Sequence, residues 1–324
     1  MRVLKLLLFV LVVAVAALGY TVLVPFGPTQ ATFIDIPTHT GTVGIASALE
    51  RGGAIRNRWT FAALREIEGG TLKAGEYRFA EPVSMLEVYA RLRRGDVFTV
   101  AVVIPEGYDL FDIAAAIEAA GLATRGEFLA AASTNTALIR QWNPNAASLE
   151  GYLFPDTYRF SRHATSAIML GAMTRRFGQM AIRLGLTGPE VPQLVTMASL
   201  VEREVHLDAE RPVVAGVFEN RLRLRMPLQT DPAVVYASML RGTWTGVIHM
   251  SELRSDSPYN TYAHQGLPPG PICNPGVAAL RAAMHPAKTE YLYFVANADG
   301  TTKFATSLAE HNANVTAYRA AGPQ

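Results

Sequence analysis

Residues 193–205 read QLVTMASLVEREV. Leu194, Met197, Ala198, Val201 and Val205 recur at helical spacing and form one apolar stripe, the mark of a helix packed into a core. At about 100° per residue, Glu202 and Glu204 fall on opposite margins of that stripe, and Arg203 between them points away into solvent. Helix geometry makes both carboxylates flanking residues and does not choose between them. Either this is an ordinary amphipathic helix with solvated edges, or one glutamate performs acid–base chemistry against apolar neighbours.

The 324 residues give room for roughly two domains. Half are apolar, so a sizeable core is available and wholesale disorder is excluded. A net charge of +2 argues against nucleic acid as a partner. The single cysteine, Cys273, excludes an intrachain disulfide, an iron–sulfur cluster and a cysteine-rich zinc site. The seven histidines contain no HExxH and no close pair at ligand spacing. No metal and no cofactor are expected.

Residues 6–24, LLLFVLVVAVAALGYTVLV, carry no charge and span roughly the 30 Å of a bilayer's hydrocarbon core. Arg2 and Lys5 precede the run, so the positive-inside bias leaves residues 1–5 in the cytoplasm and sends the rest across. Ala14-Val15-Ala16 resembles a signal-peptide cleavage site, but the apolar run continues well past it, which favours an uncleaved transmembrane anchor. The expectation is a single-pass protein of the inner (cytoplasmic) membrane with its bulk on the periplasmic or extracytoplasmic side.

An internal repeat follows. Ile36-Pro37 precedes Ile45-Ala46-Ser47-Ala48-Leu49-Glu50 and Gly53; Ile104-Pro105 precedes Ile113-Ala114-Ala115-Ala116-Ile117-Glu118 and Gly121 at the same spacing. Each copy reads as a short strand, a turn and a helix closed by glycine. Between them, Ala74 to Phe79 reads as a strand and Ser84 to Arg94 as a helix closed by Gly95. Residues 31–125 are therefore expected to form a small α+β module, whose plain reading is a packing subdomain. The pattern resembles LysM-type modules, and that resemblance implies binding to glycans containing N-acetylglucosamine.

From residue 126 to 324, helices alternate with turn-rich segments. YLYFVAN and TKFATS flank Ala298-Asp299-Gly300, a hairpin signal. Without a run of βαβ units or a GxGxxG, the fold class is α+β, with an N-terminal transmembrane helix, the small module and a mixed α+β second domain. The irregular segments combine Tyr152, Tyr158, Tyr259 and Tyr262 with Asn220, Gln229, Asn260 and Asn274. Flat apolar faces beside paired donors and acceptors suit sugars, although each of these is also an ordinary loop residue.

QLVTMASLVEREV, followed by VFENRLRLRMPLQTDPAVVYA, SPYNTY, GLPPGPICNPG and HPAKTEYLYFVAN, closely resembles the endolytic murein transglycosylase family along nearly the whole chain. The resemblance implies a lytic transglycosylase that cuts peptidoglycan glycan strands between N-acetylmuramic acid and N-acetylglucosamine. It implies Glu202 as the catalytic acid and base, with Glu204 a matching acidic position to which no role attaches. The muramic acid 6-hydroxyl would attack C1, leaving a 1,6-anhydro end without water. Such a reaction requires a carboxyl that holds its proton near neutral pH, through burial or a neighbouring carboxylate; Asp156, Asp231 and Glu150 are the candidate neighbours. Asn220, Gln229, Asp231, Tyr259 and Asn260 are expected to position substrate, with Asp231 equally readable as a helix N-cap before Pro232. Peptidoglycan synthases are the partners the family's role implies.

Two other readings make distinct predictions. A non-enzymatic glycan-binding scaffold would bind strands without creating new ends. A pyridoxal-phosphate lyase would need a Schiff-base lysine and a phosphate cradle, and Lys73, Lys288 and Lys303 lie beside no Gly-rich strand–helix turn.

Overall fold

The computed structural model describes residues 2–297 and 299–321. Met1, Ala298 of the expected hairpin turn and residues 322–324 lie outside the described residues. The chain divides into two compact units, Met1–Val100 and Ala101–Gln324.

In the first unit, α1 (Arg2–Leu23) is one uninterrupted helix, long and apolar enough to cross a membrane, with a mean hydropathy of 2.8. After it come β1 (Thr32–Ile36), α2 (Thr42–Arg51), α3 (Arg58–Glu68), β2 (Gly75–Phe79) and α4 (Met85–Arg94). β1 and β2 pair antiparallel, Thr32 opposite Phe79 and Ile36 opposite Gly75. Alternation does the sorting: Ile34, Ile36, Tyr77 and Phe79 face inward while Asp35 and Arg78 face out. The inward residues meet Leu49 of α2, Phe61 of α3 and Leu92 of α4 in one core. Asn57 caps α3 by accepting from the N–H groups of Trp59 and Thr60, and Gly95 ends α4 in the left-handed conformation. Arg56 closes the other end of the unit. It donates to the carbonyls of Val24 and Pro25 at 2.7 and 3.1 Å, and its guanidinium lies over the rings of Tyr20 and Phe26.

The second unit contains β3 (Val100–Ile104) from its second residue on, α5 (Leu110–Ala119), α6 (Arg125–Thr134), β4 (Asp156–Phe160), α7 (Ser166–Leu184), α8 (Val191–Glu204), α9 (Arg211–Arg223), α10 (Asp231–Leu240), α11 (Met250–Leu253), α12 (Val277–Met284), β5 (Tyr293–Ala296), β6 (Thr302–Ala305) and α13 (Leu308–Ala321). β3 pairs with β4, and β5 with β6 as an antiparallel hairpin, Tyr293 opposite Ala305. The α+β class expected from the sequence therefore stands. Both strand–helix copies of the repeat form as expected, β1 with α2 and β3 with α5. They join different sheets, however, and the division between units falls at residue 100, before the boundary expected near 125.

The stripe of residues 193–205 is the centre of the second core. Met197, Ala198, Val201 and Val205 are buried with Val195 and Leu200 among Phe177, Val214, Phe218 and Leu280. Helix α8 packs on both α9 and α12, and α9 packs on α12. Gly216 lets the chain pass close to α9: a Cβ there would lie 2.3 Å from the carbonyl oxygen of Ala287. Leu92 is fully buried in the first unit, so Leu92→Ala is expected to cost about 2–5 kcal/mol of that unit's stability in chemical denaturation.

Candidate active site

The two glutamates of α8 end in different environments. One oxygen of Glu202 accepts from Arg211 Nη1 at 2.8 Å, and the other accepts the Gly276 N–H at 2.9 Å, at the N-terminus of α12. The pair is nearly sealed, with side-chain exposures of 5% for Glu202 and 7% for Arg211. Arg211 also donates to Asp208 at 2.9 Å. Glu106 completes the cluster. Its carboxylate lies against Gly276, where any Cβ would collide with it. Burial, then the charge of Glu202, raises the Glu106 pKa above the usual carboxylate range. Both oxygens of Glu202 are thus committed, to a guanidinium and to the positive end of a helix.

Glu204 is the last residue of α8 and opens into a cleft of about 300 Å³. Arg221, Gln229, Asp231, Tyr262, Tyr293 and His311 line the same space. The Glu204 carboxyl is half-buried and accepts no hydrogen bond among the described residues. Burial, reinforced by the charge of Asp231 and opposed by Arg221, pushes its pKa up to about 8. It therefore holds a proton at neutral pH, facing open space.

Each wall of the cleft has a physical reason. Arg221, on the last turns of α9, donates to the carbonyls of Leu228 at 2.7 Å and Leu292 at 2.6 Å and lies over the Tyr293 ring. One buried guanidinium thereby fixes the loop before α10 and the entry to β5. Gln229 takes a left-handed backbone, φ 52°, and its N–H donates to the Thr261 carbonyl at 3.1 Å. Thr230 donates to Thr261 Oγ1 at 2.9 Å, and Pro227 bridges to Gln265. Two irregular segments are so stitched into one lip. Tyr262 Oη donates to Asp231 Oδ1 at 2.7 Å across it. From α13, His311 stacks on Tyr293 with ring centroids 5.3 Å apart, and burial lowers its pKa.

Of the residues expected to position substrate, the structure brings Gln229 and Asp231 to the Glu204 cleft. Asp231 is the first residue of α10 rather than its N-cap; Thr230 holds the N-cap position, without a side-chain capping hydrogen bond. Asn220 and Asn260 are framework residues. Asn220 Nδ2 donates to the carbonyls of Thr289 and Tyr291, and the fully buried Asn260 Nδ2 donates to those of Glu252, Leu253 and Ser255. Tyr259 turns to a separate, larger cavity.

Among the expected carboxylate neighbours, Asp156 pairs with Arg176 at 2.6 Å, and Glu150 is buried, accepting from the Leu110 N–H and Asn274. Only Asp231 stands beside Glu204. Sequence reasoning assigned no site role to Glu106, Arg211 or His311, which come from segments remote in the chain. Among the described residues no group of three or more His, Cys, Asp or Glu side chains is placed to hold a metal.

The chain matches the model of the YceG-like family over residues 34–317. It is 34% identical over 299 residues to the endolytic murein transglycosylase of Bacillus subtilis (strain 168), covering 86% of this chain and 82% of that protein. It is 29% identical to the endolytic murein transglycosylase of Streptococcus pneumoniae serotype 2, where 87% of this chain spans 57% of the longer relative. Among solved structures, a YceG-like protein from Listeria monocytogenes superposes with a TM-score of 0.57 at 31% identity, covering 88% of this chain and 99% of that one.

Two substitutions separate the carboxylates by stability. Glu202→Gln weakens a buried ion pair and is expected to cost about 3 kcal/mol in urea denaturation. Glu204→Gln should act oppositely at alkaline pH. A pKa raised on folding means the native state binds the extra proton, so stability falls as pH climbs from the ordinary carboxylate range through about 8. A neutral amide removes that loss, and the variant should exceed the parent in stability at pH 9 but not at pH 5.

Proposed function

This chain belongs to the YceG-like family, and on that footing we propose that it is a lytic transglycosylase of peptidoglycan with Glu204, rather than Glu202, as its acid and base. The observation that carries the assignment is a carboxyl turned into a polar cleft that accepts no hydrogen bond among the described residues, and burial pushes its pKa up to about 8. Each oxygen of Glu202 already accepts one hydrogen bond, from Arg211 and from the Gly276 N–H, within a buried ion pair.

In the proposed reaction, protonated Glu204 donates to the glycosidic oxygen between N-acetylmuramic acid and N-acetylglucosamine as that bond breaks. The resulting carboxylate takes the proton of the muramic acid 6-hydroxyl, whose oxygen bonds to C1 and closes the 1,6-anhydro ring. The proton returns to Glu204, and no water is consumed. A single carboxyl suffices because the sugar's own hydroxyl replaces the water that hydrolytic glycosidases activate. Asp231 keeps the proton on Glu204 between turnovers, while Gln229 and Tyr262 offer an amide and a phenol to the substrate. Anchoring by α1 would hold the second unit at the outer face of the inner membrane, where nascent strands and peptidoglycan synthases lie. The first unit would serve as a LysM-like glycan-holding module.

The test uses the full chain in detergent with glycan strands, products being read by mass spectrometry. Glu204→Gln should lose anhydro-muramic ends by about 10²–10⁴-fold, while Glu202→Gln retains them below its lowered melting temperature. Loss in Glu202→Gln alone would return the role to that residue. The pH profile of kcat/KM should fall on its alkaline side near pH 8. Asp231→Asn removes a charge that raises the Glu204 pKa, so this limb should move to lower pH.

A further inference from the structure

A cavity of about 850 Å³ in the second unit lies apart from Glu204 and has no role in the chemistry above. Its lining is specific in kind. Trp142 and Tyr259 supply half-buried aromatic surface; Asn143, Asn145, Ser148 and Gln193 supply amides and a hydroxyl. Ionised groups are nearly absent. Glu150 at the base is buried and committed to the Leu110 N–H and Asn274, and Arg140 stands exposed among the lining residues. Flat rings beside neutral donors and acceptors match an uncharged, ring-shaped, hydroxyl-rich ligand. A stem peptide, with its carboxylates and amine, would find almost no counter-charge.

Two features connect this cavity to the cleft. Gln193 and Glu204 lie on the same helix, α8, within about 20° of each other around its axis and about 16 Å apart along it. The lip stitched by Gln229, Thr230 and Thr261 also serves both spaces, with Tyr259 lining the cavity and Tyr262 the cleft. Buried Asn260 pins the segment between the two tyrosines by its three hydrogen bonds to backbone carbonyls.

Resting on the transglycosylase reading, we propose that this cavity is a distal subsite for N-acetylhexosamine residues of the same strand whose bond is cut at Glu204. A strand held at both places is gripped some distance from the scissile bond. Cleavage is then favoured where chain extends past the cleft, and short oligosaccharides forgo the second contact.

Ala147 is exposed and lines the cavity, so Ala147→Trp fills the space without touching the core; Asn143→Ala removes one amide. The full chain in detergent is assayed on strands stripped of stem peptides, long against the shortest that are cut. Both variants should lower kcat/KM more on long strands than on short ones, by about tenfold for Ala147→Trp. Equal losses at all lengths, no loss, or a loss confined to strands that retain stem peptides would overturn the subsite. Binding is read separately, by saturation-transfer NMR of a chitooligosaccharide with the Glu204→Gln chain. Adding Ala147→Trp should weaken the signal, and an unchanged signal overturns the subsite even if cleavage proves absent. Failure of the parent chain to produce anhydro ends on any strand counts against the transglycosylase reading instead.

Discussion

The second unit depends on the buried ion pair between Glu202 and Arg211. Its position matters more than its strength. Glu202 is on the last turn of α8, Arg211 is the first residue of α9, and the second oxygen of Glu202 holds the N–H that opens α12. Three helix ends meet at one carboxylate. Two buried charges taken from water contribute little net stability, since desolvation offsets most of their attraction, but neither can be withdrawn without stranding the other. The pair therefore acts as a geometric constraint. It sets where α8 stops, and so where Glu204 is presented.

From that constraint the cleft follows. With the start of α9 held by Glu202, its far end carries Arg221 to the carbonyls of Leu228 and Leu292. Those two contacts place the loop that bears Gln229 and Asp231 and the strand that bears Tyr293. Two carboxylates of one helix thus meet different environments. Glu202 is held by a guanidinium and a backbone N–H, whereas Glu204 is given burial and a neighbouring negative charge instead. The helix supplies the divergence, because residues two apart point to opposite flanks.

Much of this was legible in the sequence. Apolar periodicity located α8, and strand alternation with glycine closure located β1, β2, α2 and α4, because those signals are local. The cleft was only partly legible. Gln229 and Asp231 lie in one short motif, and their neighbourhood to Glu204 was within reach of a motif-based reading. Asn220 and Asn260 carry the same chemical signature but spend their amides on backbone carbonyls, a distinction made only by tertiary contacts. Periodicity put Glu202 and Glu204 on equal footing for the same reason. What separates them is Arg211, Gly276 and Asp231, and no local pattern records which of these each one meets.

The wall contributed by α13 has a consequence for when the Glu204 carboxyl becomes enclosed. Leu308 and His311 border the space into which Glu204 points, far downstream of it in the chain. An acid whose proton affinity rests on enclosure acquires that affinity only once this last wall is seated. A chain emerging N-terminus first would carry Glu204 in an open trough until α13 had followed it and docked. The enclosure of this carboxyl is in this way tied to the order of the polypeptide.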